Sequence, residues 1–549
     1  MRVMNDDRQM GVMMKIQGQR TGNKNKGEQE RWKEWINSVG NYAKTVTYAY
    51  LIFIIAVFPF YAPKGYVEIG IHKFYFFKMV GLVCFGMLVP AVLLLLFMKW
   101  RRKEHFRCSV TDKAMLLYGV AVFLSFVCTE WKEEALWGTE GWYMGAVSQL
   151  MFVAIYFVIS RFVENEKVWY SLFLMVSSCV FLLGLLNRFS IYPFEMKGAN
   201  PIFISTLGNI NWFCSYWMVL LPIGLVFYWS DIGDTVLIKA GLMLYIIVGF
   251  MTGIVQGSSS GFLALGTMIF AIFCLSFRKE NRLLRWFELM ILFAVSVLVI
   301  SVLKSLFPES MNYQNTIAEK ITEYSFGVLL LSVFVVCYTV LRYWIKHKEL
   351  KIEKLVILRN IVAGIVLLAA VVVGILVVYY NSMPETIENS RLTDAFIIDS
   401  DWGNSRGATW TAGVEAFATM TFREKMVGVG PDCFYRYVYS EWEIATELYN
   451  VFGDARLTNA HNEWLTTLVN LGICGVLPYI TVFITAVFRQ LKEGKKHEPA
   501  LVSAVCIITY TIHNMVSFQQ VICTPVVFIL IGMGESVICR KLSKNVEKN

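Results

Sequence analysis

"LRNIVAGIVLLAAVVVGILVVYY" (Leu358–Tyr380) carries one charge, Arg359, at its start. A helix crossing the hydrocarbon core of a bilayer needs about 20 predominantly apolar residues, and this stretch supplies them on every face. A soluble helix would keep a polar stripe. Outward from it, the preceding segment Arg342–Arg359 is basic, and about eighty mostly polar residues follow. The chain then turns apolar again through "NAHNEWLTTLVNLGICG" (Asn459–Gly475). Apolar span, basic connector, apolar span is the grammar of a membrane protein.

Applied to all 549 residues, this reading predicts an all-α polytopic membrane protein of about fourteen (12–14) transmembrane helices. They fall near 45–62, 78–98, 114–129, 145–162, 168–187, 211–229, 236–254, 259–277, 287–307, 326–345, 358–380, 461–488, 500–517 and 520–539. The polar, basic start of the chain has no signal-peptide pattern, so the first span is expected to stay in the mature protein.

Orientation follows from the bias of Lys and Arg toward cytoplasmic connections. The N-terminal tail, Lys99–Arg107, Arg278–Arg285, Arg342–Arg359, Arg489–Lys496 and the tail from Arg540 are basic, and an even number of spans puts all of them on one side. The expected division is a basic cytoplasmic tail (1–44), spans one to eleven (45–380), an extracytoplasmic loop domain (381–460), spans twelve to fourteen (461–539) and a cytoplasmic tail (540–549). The loop domain has twelve acidic and six basic residues, as an outer segment should. The expected address is the cytoplasmic (inner) membrane. The tail from 1 to 44 suits the anionic inner leaflet or a disordered state.

Several classes are disfavoured. The twelve cysteines lie mostly in apolar runs without C-x-x-C spacing, which suggests neither a zinc site nor a disulfide framework. The formal charge of +9 does not point to nucleic acid, because the cations sit in short connectors between spans.

A loop of about eighty residues is long enough to be functional or disordered, and its aromatics argue against disorder. "RGATWTAGVEAFATM" (Arg406–Met420) sets Trp410, Val414 and Phe417 on one helical stripe, with Arg406 one turn before Trp410. "VGVGPDCF" (Val427–Phe434) follows as a turn signal. His461 opens the twelfth span, and His513 lies near the end of the thirteenth. At the same expected depth stand Asn209 and Asn211 in "LGNINWF", Ser258–Ser260 in "QGSSSGF", Arg188, and the loop arginines Arg391, Arg406 and Arg423. Each Ser or Asn also reads as an ordinary helix cap, and each arginine as a solvated ion pair. Several guanidinium groups beside a membrane face nevertheless suit an anionic headgroup, because a planar fork grips phosphate.

The order of "SRGATWTAGVEAF", "VGVGPDCF" and "NAHNEWLTTLVNLGICGVLPY" resembles the O-antigen ligase and O-antigen polymerase family over about Arg406–Tyr479. The resemblance implies a GT-C-like membrane glycosyltransferase active at the outer face. Its donor would be a glycan on undecaprenyl diphosphate, and its acceptor a hydroxyl of a glycan, lipid or protein. It carries the family's outer histidine onto His461 and its loop arginine onto Arg406, with Trp410 as packing partner. Family members often have Ser-Arg-Gly where this chain has "SSSG", so a cation is missing at Ser260, and Arg188 or Arg391 would have to replace it.

The residue chemistry suits that reaction. Glycosyl transfer from a diphosphate needs a base for the acceptor hydroxyl and cations for the leaving group. His461 is the expected base and Arg406, with Arg391, the diphosphate anchor. Asn462 or Glu463 would orient the imidazole, and Arg423, Trp410, Asn209, Asn211 and Arg188 would complete the substrate site. No cofactor is called for. Asp399 and Asp401 show the D-x-D spacing of some metal-dependent glycosyltransferases, a competing reading in which carboxylates hold Mg²⁺ or Mn²⁺. A transporter or lipid-linked glycan flippase is the alternative from another class, but mid-membrane charges and internal repeats are not apparent.

Overall fold

The computed structural model describes residues 30–103, 108–233, 235–312, 315–347, 352–382 and 396–547. They are nearly all helical. The chain opens with α1 (Glu30–Phe60), α2 (Ile69–Arg101), α3 (Val110–Cys128), α4 (Lys132–Trp137), α5 (Ala146–Phe162) and α6 (Glu166–Arg188). A two-residue antiparallel pair, β1 (Phe203–Ile204) and β2 (Gly208–Asn209), precedes α7 (Ile210–Ser230). Next come α8 (Val236–Val255), α9 (Ser260–Ser276), α10 (Glu280–Leu306), α11 (Thr316–Ile321), α12 (Tyr324–Lys346) and α13 (Ile352–Ser382). Four helices fill the described part of the long polar segment: α14 (Trp402–Thr419), α15 (Phe422–Val427), α16 (Phe434–Ser440) and α17 (Trp442–Phe452). The chain ends in α18 (Glu463–Glu493), α19 (Glu498–His513) and α20 (Thr524–Glu547).

Each of the fourteen predicted stretches overlaps one of these helices. Among the described residues ten helices are long and apolar enough to cross a membrane. Three others, α5, α9 and α19, are apolar but only 16–17 residues long. This is a multi-pass membrane protein.

Contacts divide the chain into two units, residues 1–51 with 80–107, and residues 52–79 with 108–549. In the first, Tyr50 packs on Phe85 at 5.0 Å. The second is the larger. Its centre is α7, buried along nearly its whole length. Trp217 and Trp229 on α7 are fully enclosed, which is tolerable because each indole N–H has an acceptor: the Gly249 carbonyl at 2.7 Å and Ser276 Oγ at 2.8 Å. At the other extreme, the apolar window of α13 has no buried residue and suits lipid.

α18 packs along α3, α19 and α15, and it is broken. Gly472 takes φ +63°, so the helical ladder fails there. The freed carbonyls find partners outside the helix: Val469 O accepts from Val429 N at 3.1 Å, and Asn470 O from Gly430 N at 3.0 Å and Ser125 Oγ at 2.8 Å. This explains the Gly-x-Gly turn. A Cβ on Gly428 would lie 2.1 Å from Asn470 O, so only glycine lets the turn lie against the break. The loop helices are thereby fastened to the first turns of α18.

The stripe expected on α14 is inward only in part. On α14 the residues turned inward are Thr409, Ala412, Gly413 and Ala416, whereas Val414 is 60% exposed. Phe417 of the expected stripe packs, partly buried, against the same core. The structure uses the small residues, because Gly413 meets Leu465 and Ala460 where a Cβ would collide.

Candidate active site

Three segments build the site: 403–410 at the start of α14, 459–463 before α18, and 513–519 after α19. Residues Gly403, Asn404 and Ser405 all have positive φ, a left-handed turn that places Arg406 in the first regular turn of α14. Two backbone carbonyls pin its guanidinium: Nε donates to Val516 O at 3.0 Å and Nη1 to Gly403 O at 2.6 Å. Among the described residues no carboxylate pairs with it, and Nη2 has no partner. Burial lowers its pKa below the ordinary value, yet an arginine remains a cation.

Thr409, less than one turn on, donates to Ala460 O at 3.0 Å and so ties α14 to the histidine segment. His461 itself sits at φ +47°, a conformation uncommon outside glycine. Asn459 Oδ1 accepts from its backbone N–H at 2.9 Å and holds it there. The ring meets Phe518 edge-on at 5.1 Å, and Nδ1 is buried without a partner. Burial, and then the positive charge of Arg406, push the His461 pKa down to about 4, so the ring is neutral at pH 7. Arg406 and His461 are thus brought together.

The neighbours of His461 have other tasks than those expected. Asn462 Oδ1 accepts from the backbone N–H of Trp464 and Leu465, both at 3.1 Å, and caps α18. Glu463 is engaged by other partners. Its buried carboxylate accepts from Tyr479 OH (2.5 Å), Tyr510 OH (2.7 Å), Gln519 Nε2 (3.1 Å) and Asn514 Nδ2. Neither residue orients the His461 imidazole.

What Glu463 does orient is a second histidine. Asn514, held by Glu463, bonds His513 Nδ1 at 2.7 Å, and His513 Nε2 lies 3.0 Å from Ser260 Oγ. Ser260 is 2.8 Å from Ser258 Oγ, which donates to Asn211 Oδ1 at 2.8 Å. One buried polar chain therefore runs from α18 through α19 and α9 to α7, and Arg406 lies within electrostatic reach of both histidines. Asn211 belongs to this chain. Asn209 does not: its Oδ1 caps α7 by accepting from Asn211 N at 2.8 Å.

The remaining expected residues are elsewhere. Arg188 is fully buried and donates to Pro201 O (2.7 Å), Gln256 O (2.7 Å) and Asn312 Oδ1 (3.4 Å). It clamps three loops rather than replacing the cation absent at Ser260. Arg423 is exposed, reaches the Cys128 carbonyl at 3.5 Å and shares no partner with Arg406 or His461. Trp410 packs on Trp402 at 5.4 Å, with its indole N–H unpartnered. Arg391 lies outside the described residues. Asp399 accepts from Asp401 N at 3.1 Å in a local turn, and among the described residues no three His, Cys, Asp or Glu side chains converge on a point that could hold a metal.

The residues that sequence reasoning left out are Asn514, Gln519, Tyr479 and Tyr510 around Glu463, together with Phe518. A signal existed in "TIHNMVSFQQ" (Thr511–Gln520), a polar run interrupting two apolar helices.

Residues 321–480 match the O-antigen ligase family model. The matched segment covers α12, α13, the loop helices and the first half of α18, including both Arg406 and His461. It supports the family resemblance and a membrane function of the O-antigen ligase or polymerase type, with a glycosyltransferase-like role. Among curated proteins, no relative of the chain is found.

Proposed function

We propose that this protein transfers a glycan from a polyprenyl-diphosphate donor, undecaprenyl diphosphate in kind, to an acceptor hydroxyl at the outer face of the cytoplasmic membrane. The observation carrying the reading is the pair Arg406 and His461: a guanidinium fixed by carbonyls and left without a carboxylate, beside an imidazole held neutral. An arginine built this way is short of an anion. A diphosphate supplies one, and charge-assisted contacts to it strengthen as the leaving group gains charge.

In the reaction, the acceptor oxygen attacks the anomeric carbon while the bond to the diphosphate oxygen breaks. The hydroxyl proton passes to the His461 imidazole, and the bond's electron pair leaves with the diphosphate beside Arg406. Direct displacement inverts the anomeric carbon. A base with a pKa near 4 would be weak, but the diphosphate cancels the Arg406 charge that helps to hold it there. Donor binding therefore makes His461 more basic when the acceptor hydroxyl needs deprotonating. Asn211, Ser258, Ser260 and His513 form a buried polar chain within electrostatic reach of Arg406. The two tails face the cytoplasm in this reading, and the described loop helices cover the site from outside.

The test uses the full chain in vesicles with a purified polyprenyl-diphosphate glycan and cell-envelope glycans from the producing cells as acceptors. Wild type is expected to move glycan onto an acceptor in a His461-dependent manner. Transfer that survives in His461→Ala would remove the histidine from the mechanism, and no transfer by wild type would remove the function.

A further inference from the structure

α18 does not run straight. Glu463 and Tyr479 are 16 residues apart, which is about 24 Å along an unbroken helix rising 1.5 Å per residue. Yet Tyr479 OH donates to Glu463 at 2.5 Å, and the Trp464 ring packs on Tyr479 at 5.7 Å and on Phe483 at 5.5 Å. The left-handed φ of Gly472 therefore reverses the chain, and residues 463–471 fold back beside the rest of α18. The reversal brings Glu463 against the turn that follows α19.

There the carboxylate grips that turn on both sides of Val516. Oε2 accepts from Asn514 Nδ2 and Oε1 from Gln519 Nε2 at 3.1 Å, while Tyr510 and Tyr479 complete the two oxygens. The Glu463 backbone N–H also donates to Asn514 O at 2.9 Å, and Val516 N donates to His513 O at 3.0 Å. A carboxylate has room for about four donors, whereas an amide oxygen has room for two. Glu463 uses the full capacity. Burying a carboxylate among neutral donors is costly, and what the four bonds secure is the backbone around residue 516.

That backbone presents the Val516 carbonyl, which accepts from Arg406 Nε at 3.0 Å. The other acceptor for the guanidinium, Gly403 O, belongs to the left-handed turn at the start of α14 and moves with Arg406. Among the described residues Val516 O is thus the one hydrogen-bond partner that fixes the guanidinium from outside α14. Resting on the glycosyl-transfer reading above, we propose that Glu463 is a positioning residue for the donor site: through Asn514 and Gln519 it fixes the 513–519 turn, and through the Val516 carbonyl it aims Arg406 at the diphosphate.

The experiment uses the same reconstituted full chain, donor and envelope-glycan acceptor, with each substrate varied separately and folded protein measured by size exclusion. Glu463→Leu removes the grip at similar volume. It is expected to lower transfer per folded molecule about 10- to 100-fold, since a misplacement near 1 Å can cost about 10² in rate. The donor concentration for half-maximal transfer should rise and that of the acceptor stay unchanged. Glu463→Gln, whose oxygen can still hold one of the two amides, should recover part of the loss, and it is read in the same way if Glu463→Leu does not fold. In an Arg406→Gln background either substitution should cost less than about 2-fold more, because the group it aims is gone and coupled residues are not additive. A second readout needs no activity: phenylglyoxal, with the modified residue located by mass spectrometry, should label Arg406 faster in both Glu463 variants than in wild type. Unchanged transfer per folded molecule, or losses that add in the double variant, would overturn the positioning role and make Glu463 structural. If wild type transfers nothing, the glycosyl-transfer reading fails on its own account; faster labelling of Arg406 would still support the tie through the turn, and unchanged labelling would still overturn it.

Discussion

The two ends of α3 handle buried charge in opposite ways. At its N-terminal end, acids and bases are matched. Asp112 pairs with Arg161 at 2.6 Å and accepts from Tyr156 OH at 2.7 Å. Glu535 is gripped by Arg489 through two nitrogens at 2.9 and 3.1 Å, and Glu166 pairs with Arg540 and Ser536. At the other end, Glu463 is buried among neutral donors and Arg406 among carbonyls, and the two do not pair. His461 Nδ1, Trp410 Nε1 and Asn470 Oδ1 lack partners there as well. A buried pair that is complete has little left to offer a substrate. Charges kept apart at a cost are available, and perturbed ionisable groups of this kind gather at functional sites.

The sharpest way to break this contrast is to remove a group from each end. His461→Ala should lower glycan transfer at least 10²-fold, the lower bound of general-base help, while the protein accumulates in the membrane at the wild-type level. Arg489→Ala should do the reverse. It strands the fully buried Glu535 carboxylate and should destabilise the protein by about 3–5 kcal/mol, seen as a lowered thermal midpoint in nanodiscs. Transfer per folded molecule should stay unchanged. Loss of chemistry in Arg489→Ala, at constant folded fraction, would show that the matched end is not merely structural.

Arg406 tests the link between charge and base. Arg406→Gln should lower transfer about 10²- to 10³-fold, as loss of one preorganised donor does. It should also move the acid limb of kcat/KM. In wild type, burial and Arg406 disfavour the imidazolium, so activity stays flat at neutral pH and falls only as His461 protonates near pH 4. Without the guanidinium, the residual activity should fall at a higher pH, nearer the ordinary 6.5 of histidine. A limb that does not move would separate the two residues.

How much of this was readable beforehand depended on distance along the chain. Apolar runs identify the helices because a bilayer imposes length and polarity on each span locally. Arg406 and His461 could be found because each opens a helix within a compact motif. The Glu463 cage could not, since its partners lie 16 to 56 residues downstream on α18, α19 and the following loop. Nor could the seat of Asp432, whose carboxylate Thr139 and Met144 hold across about 290 residues. Arg188 misled because a cation near a membrane border looks the same whether it faces a phosphate or three carbonyls. The stripe on α14 was legible in part: Phe417 packs inward, while the close approach at Gly413 selects small residues that the pattern did not weigh.

The smallest effect discriminates most finely between neighbours in one motif. Asn462 stands next to His461, and its carboxamide was expected to orient the imidazole. Its Oδ1 is instead occupied by two backbone N–H groups of α18. If that is its whole contribution, Asn462→Ala should cost about 1 kcal/mol of stability, the usual effect of losing a cap. Asn462→Asp and Asn462→Ser, which still offer an oxygen there, should recover most of it. The acid limb should remain near pH 4 in all three, because neither the burial of His461 nor its guanidinium neighbour has changed. A limb displaced in Asn462→Ala but restored in Asn462→Ser would mean that the cap also positions the base, and the division of labour within "NAHN" would have to be redrawn.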